Sequence, residues 1–189
     1  MSERDRSYFE SFRSVVKAVS STLDVQEVLD MLVTHVTQVM ELKACAIRLL
    51  HPKRRTLELV AAHGLSDNYI QKGPVDADRS IAEAMKGEIV SIYKVSEDPR
   101  AQYPEQAMAE GIASMLSVPL AIKGRVIGVL RLYTSTPRDF AEDELQFAEA
   151  LAEMGAIAIE NARMYERIKK DYESVMSDVY NFVGYRRSI

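Results

Sequence analysis

The sequence predicts an α+β fold in which two antiparallel hairpins are bracketed by helices. Two pairs of short apolar runs carry the first half of that expectation: 44–50 with 56–62, and the run from Met115 with Val126–Tyr133. Each pair is joined by a polar turn, His51-Pro52-Lys53-Arg54-Arg55 in the first and Lys123-Gly124-Arg125 in the second, as hairpins are. Helical apolar periodicity before the first pair and after the second carries the other half.

The elements follow in order. Tyr8, Phe9, Phe12, Val15, Val16 and Val19 form a helical stripe that breaks near Ser20-Ser21-Thr22-Leu23. Asp24 with Glu27 three residues on has the pattern of a capping box, opening a helix through Val28, Leu29, Leu32, Val36, Val39 and Met40. After the first hairpin the pattern changes to short pieces. Ser80 and Glu83 cap a short helix 81–86 that Gly87 ends, and 88–93 reads as a strand. Asp98 before Pro99 marks a helix start and Gly111 its stop. This crossover of roughly fifty residues is too long for mere connection, and such segments form lids or pocket walls.

The last helix carries two stripes. Leu145, Ala148, Ala152, Gly155, Ile159 and Ala162 present small residues suited to close packing on a sheet. Phe147, Leu151, Met154, Ala158, Asn161, Tyr165, Ile168, Tyr172, Val175, Val179 and Phe182 alternate steps of four and three, the rule of a coiled-coil seam. Its continuation beyond Tyr165 predicts a parallel homodimer, with Asn161 setting register; the alternative is packing of the stripe against the N-terminal helix of the same chain. The residues from Tyr180 to Ile189 read as a frayed helix end rather than an aromatic docking segment.

Composition narrows the classes. A formal charge of −4 with interspersed signs leaves no polybasic footprint for nucleic acid. No apolar run is long enough to span a bilayer and Met1-Ser2-Glu3-Arg4 opens no signal peptide, so a cytoplasmic chain without membrane contact is expected. The single cysteine, Cys45, excludes an intramolecular disulfide.

Several phrases in this order resemble the GAF domain, a small-molecule sensor fold related to PAS domains. They are Thr22-Leu23-Asp24, the helix end Ala84-Met85-Lys86-Gly87-Glu88, Glu97-Asp98-Pro99-Arg100, Ser117-Val118-Pro119-Leu120, Gly124 to Tyr133, and Phe140 to Leu145. The resemblance covers residues 20–170. It implies a six-stranded antiparallel sheet with helices 24–41 and 141–172 on one face and a ligand pocket beneath the crossover on the other. It also implies three segments: a helical extension 1–22, the domain 23–172 and a helical tail 173–189. Many such domains dimerise through terminal helices and regulate an output domain, here expected in a separate signalling protein. Two departures stand out: Lys94 replaces a frequent Asp, favouring anionic ligands, and Ala141 replaces a Ser or Thr cap, which moves the expected cap to Asp139.

No catalytic constellation emerges. Cyclic-nucleotide binders of this family carry an Asn-Lys pair that is absent, and Asp143-Glu144 follow Phe140 one residue too soon. A bilin chromophore needs a thiol near the pocket, whereas Cys45 lies in the first strand. Methionine sulfoxide reduction needs a second thiol to capture the sulfenic acid. His35, His51 and His63 lack metal-ligand spacing, and neither a Gly-x-Ser-x-Gly elbow nor a phosphate loop occurs. The expected function is therefore a non-catalytic sensory module, with a ligand-free structural dimerisation adaptor as the alternative; no cofactor is named by the sequence. Pocket candidates are Ile92, Tyr93, Lys94, Tyr103, Met108, Met115, Ser117, Arg131 and Tyr133.

Overall fold

A computed structural model describes residues 3–22, 24–51, 53–78 and 81–186, with side chains described among these from 6 to 177. Leu23 and Ser80, expected at the helix break and as a cap, lie outside the described residues, as do 187–189 and the side chains of Val179, Phe182 and the rest of the tail.

Helix α1 (Glu3–Ser21) leads into α2 (Val25–Val39). Asp24 caps α2, its Oδ1 accepting from the amides of Gln26 at 2.9 Å and Glu27 at 3.3 Å. The reciprocal half of the expected capping box differs: the Asp24 amide donates to Thr22 Oγ1, which in turn donates to Glu27. Strands β1 (Ala44–His51) and β2 (Thr56–His63) form the first hairpin. The crossover holds α3 (Asp67–Ile70), β3 (Val75–Asp76), a 3-10 turn Ala84–Lys86 ended by Gly87 at φ 97°, β4 (Val90–Ile92) and α4 (Pro104–Ala109). Strands β5 (Ser114–Ile122) and β6 (Arg125–Thr134) form the second hairpin, and α5 (Glu142–Arg186) closes the chain. Lys123 and Gly124 both have positive φ, the geometry of a two-residue turn that matches strand twist.

Three expectations are corrected. The helix expected over 81–86 is a turn at 81–83 followed by the 3-10 segment Ala84–Lys86, and the Glu83 side chain makes no capping bond. The crossover helix starts at Pro104, not at Asp98-Pro99. Asp98 is engaged instead by Arg100, whose guanidinium also donates to the Ser91 carbonyl, so a turn is pinned where a helix would begin. At the start of α5 the cap role falls to Glu144, not Asp139: the Ala141 amide donates to Glu144 Oε2 at 2.9 Å. Glu144 also pairs with Arg138, which donates to the Met40 carbonyl at 3.0 Å. The helix start is thereby tied to the end of α2.

The strands form one antiparallel sheet in the order β3-β2-β1-β6-β5-β4. Alternation sends Cys45, Ile47, Leu116, Val118, Leu120, Leu130 and Leu132 to one face, where they meet α1, α2 and α5 in the main core. Small residues on α5 permit this approach: a Cβ on Gly155 would lie 3.2 Å from Leu32 and 3.5 Å from Leu120. Helix α1 joins the same core through buried Val15 and through Tyr8, which stacks on Phe147 with ring centres 4.3 Å apart.

The second stripe of α5 divides. Phe147, Leu151 and Ala158 are buried within their own chain and Met154 packs against the same core, so this part is intramolecular. Asn161 is exposed. Beyond it every residue from 163 to 175 is exposed, and Tyr165, Ile168, Tyr172 and Val175 keep the heptad steps at 47, 62, 65 and 60% exposure. Among the described residues no helix is long and apolar enough to cross a membrane.

Candidate functional site

The opposite face of the sheet carries the polar chemistry. Because alternate residues share a face, Ala44, Ala46 and Arg48 of β1 stand beside Val129, Arg131 and Tyr133 of β6 and Met115 and Ser117 of β5. Ala46 is opposite Arg131 and Arg48 is opposite Val129, which makes the two arginines diagonal neighbours on adjacent strands. The crossover packs Tyr69, Val95, Ala107 and Ile112 over Ala44, Ala46, Met115 and Tyr133, with Ile92 of β4 beside Met115, and packs Val75, Ala77, Ile81 and Ala84 around Val129. Arg48 is 3% exposed and Arg131 4%, values rare for arginine without an acidic partner.

Among the described residues neither guanidinium has one. Arg131 donates from Nε to Ser117 Oγ at 3.2 Å and points Nη2 at Met115 Sδ, 3.7 Å away, a weak acceptor. Arg48 donates from Nη1 to the Leu57 carbonyl at a long 3.5 Å. Its Nε and Nη2 have no partner, and neither does Tyr133 Oη. Five buried side-chain atoms lack a hydrogen bond among the described residues, and these are three of them; the other two are Ser11 Oγ and His35 Nδ1.

A third cation comes from the crossover. Lys72 Nζ donates to the Tyr69 carbonyl at 3.0 Å and lies 3.6 Å from the centre of the Tyr69 ring. Burial lowers its pKa to about 7, the charges of Arg48 and Arg131 push the same way, and Glu110 opposes them. Burial likewise raises the Tyr69 phenol, assisted by Tyr133 and countered by both arginines. Tyr69 packs edge-on against Tyr133 at 6.0 Å. Glu110 is engaged elsewhere: burial acts to raise its pKa, but Ser66 donates to both its oxygens and the charges of Lys43 and Lys72 hold it below the usual carboxylate range. The site is therefore electropositive and largely buried.

Of the residues picked out from sequence, Ile92, Met115, Ser117, Arg131 and Tyr133 converge on this face. Tyr103 sits at the crossover's own seam, its hydroxyl donating to the Pro74 carbonyl at 2.8 Å. Tyr93, Lys94 and Met108 lie on the outside: Tyr93 and Met108 are half exposed, and Lys94 pairs with Glu97. Arg48, Tyr69 and Lys72 complete the cluster without having been singled out. Arg48 had a legible signal, a charge in an otherwise apolar strand on the face shared with Ala44 and Ala46. Lys72 had none, since loop residues carry no periodicity.

An open groove of about 570 Å³ lies on the helix side between α2, α5 and β2, lined by Val25, Leu29, Leu49, Val60 and Ile159, with Lys170 among its charged residues. None of the buried unpartnered atoms lines it. Buried donors without a partner, which would orient a ligand, are found under the crossover instead. Cys45 faces the helices, fully buried, and burial pushes its thiol far above the usual range.

This sheet, with helices on one face and a structured crossover on the other, is the architecture of a sensor-domain fold. A GAF domain family model matches residues 22–160, and the chain belongs to the GAF family. It is 24% identical over 182 residues to the formate hydrogenlyase transcriptional activator of Salmonella typhimurium, covering 93% of this chain and 26% of the activator. It is 24% identical over 163 residues to the methyl sulfide methyltransferase-associated sensor of Methanosarcina acetivorans, covering 82% of this chain and 16% of that protein. The chain thus spans about a quarter or less of the length of these relatives. Among solved structures, the GAF domain of a phosphoenolpyruvate-protein phosphotransferase from Coxiella burnetii superposes with a TM-score of 0.76 at 19% identity, over 88% of this chain and 99% of that one.

Proposed function

We propose that this protein is a sensory and regulatory GAF module that binds a small molecule between the crossover and the sheet and acts on a separate signalling partner. The observation that carries the reading is the cluster of buried, unpartnered polar atoms on Arg48 and Tyr133 beneath the crossover. An unmet buried donor is costly, and a structure retains one where a ligand, an ion or an ordered water can meet it. The likeness to a transcriptional activator and to a sensor supports the regulatory half. In this reading two copies join through the exposed stripe of α5, which carries the state of the domain beyond its own core.

Mass spectrometry of compounds released from gently purified protein tests the binding half. A retained metabolite at near-equal molar amount is the expected result. The adaptor reading has one observation in its favour, the direct packing of Val95 and Tyr69 on the sheet. A protein that retains nothing and binds nothing from a metabolite panel is such an adaptor.

A further inference from the structure

We infer that the ligand is a small carboxylate, gripped by the free edge of the Arg48 guanidinium and by the Tyr133 hydroxyl. The inference rests on the small-molecule reading above and narrows it to one chemical class.

The argument begins with the guanidinium itself. Nε–H and the Nη2 amine lie along one edge of the group and present two parallel donors, the fork that matches the two oxygens of a carboxylate. In Arg48 it is this pair that lacks a partner, while Nη1, off that edge, is used on the Leu57 carbonyl. The unsatisfied set is thus a whole binding element and not a scatter of single atoms. Tyr133, on the same face of the neighbouring strand four residues along from the position opposite Arg48, adds a hydroxyl that is also buried and unpartnered.

Charge points the same way. Arg131 lies on the diagonal from Arg48, and Lys72 reaches in from the crossover close enough for both arginines to disfavour its proton. The acid that bears on Lys72, Glu110, is held by Ser66 and Lys43. An anion at the fork would relieve three mutually repelling cations, whereas a neutral or cationic ligand would relieve none. Tyr69 and Val95 are nearly fully buried in the same layer, so the test begins with the smallest acids.

The test is calorimetry and thermal unfolding on the full chain with acetate, pyruvate and succinate at matched ionic strength, beside acetamide as the neutral isostere and inorganic phosphate as the tetrahedral anion. At least one of the three acids should bind and raise the melting temperature, and acetamide should not. Arg48→Lys keeps the charge without the fork, and Arg48→Leu removes both; each should weaken binding about 10- to 100-fold, the loss of a charge-assisted bidentate contact. Arg48→Leu removes an unpaired buried charge, so in the absence of acids it should melt no lower than the parent. Equal affinity in parent and both variants, or binding of phosphate alone, overturns the assignment. No acid bound, with a neutral or cationic metabolite retained on purification, overturns the carboxylate while the small-molecule reading stands. No acid bound and nothing retained brings down both.

Discussion

Arg48 is positioned by a residue that has no side chain. Gly128 of β6 lies opposite Leu49, and a Cβ there would fall 2.3 Å from the Arg48 carbonyl oxygen and 3.1 Å from Leu49 Cα. Both neighbours are backbone, so neither can swing aside. Gly128→Ala should therefore cost about 2–3 kcal/mol in chemical denaturation, the scale of an overpacked core, and should push β1 away at the arginine. Lys72 offers a second measurement at the same scale. Its folded pKa of about 7 sits below the ordinary 10.5, so between those values the unfolded chain binds more protons than the folded one. Stability then rises with pH across that window, and the penalty of the buried charge is fully present below it. The groups that set this are Arg48 and Arg131 on the sheet and Glu110 after α4, with Tyr69 on α3 beneath the amine. Denaturation of Lys72→Met across the same range should show a flatter profile than the parent; an identical slope would remove Lys72 from the cluster.

At the scale of elements, α5 is two objects in one helix. At about 1.5 Å per residue its 45 residues reach roughly 65 Å, well beyond what the sheet can cover. The first part is bound to its own domain by Phe147, Ala148, Leu151, Ala152 and Ile159 and fastened at its start by Glu144. Removing that fastening with Glu144→Ala should cost about 3 kcal/mol, because Arg138 would be left half-buried without its carboxylate. The second part leaves Tyr165, Ile168, Tyr172 and Val175, apolar groups at coiled-coil spacing, largely exposed among the described residues. Mass in solution should show a dimer for the parent and a monomer for Ile168→Asp, with unchanged near-ultraviolet signal from the domain. A monomeric parent would end the dimer reading. The heptad steps were readable in advance, but periodicity does not tell which stretch of a stripe meets its own chain. The upper half went to α1 and the sheet because the fold brings Tyr8 onto Phe147.

For the molecule as a whole, the two hairpins and the bracketing helices were legible because alternation and helical spacing are local. Met115, Ser117, Arg131 and Tyr133 followed from them, since strand register alone places these side chains on one face. The crossover was less legible. Pro99 and Pro104 carry the same helix-start signal, and only the contact of Arg100 with Asp98 and Ser91 decides between them. That contact joins residues whose proximity is set by the tertiary fold. One buried feature makes the whole structure open to measurement. Cys45 is the sole thiol, fully enclosed between the central strand and the helix layer, and it must be uncovered before any reagent can reach it. Its alkylation rate under native conditions is therefore a clock for the deepest opening of the domain, needing no engineered label. A compound that binds the closed form should slow that clock in proportion to its occupancy, turning a silent core residue into a ligand detector.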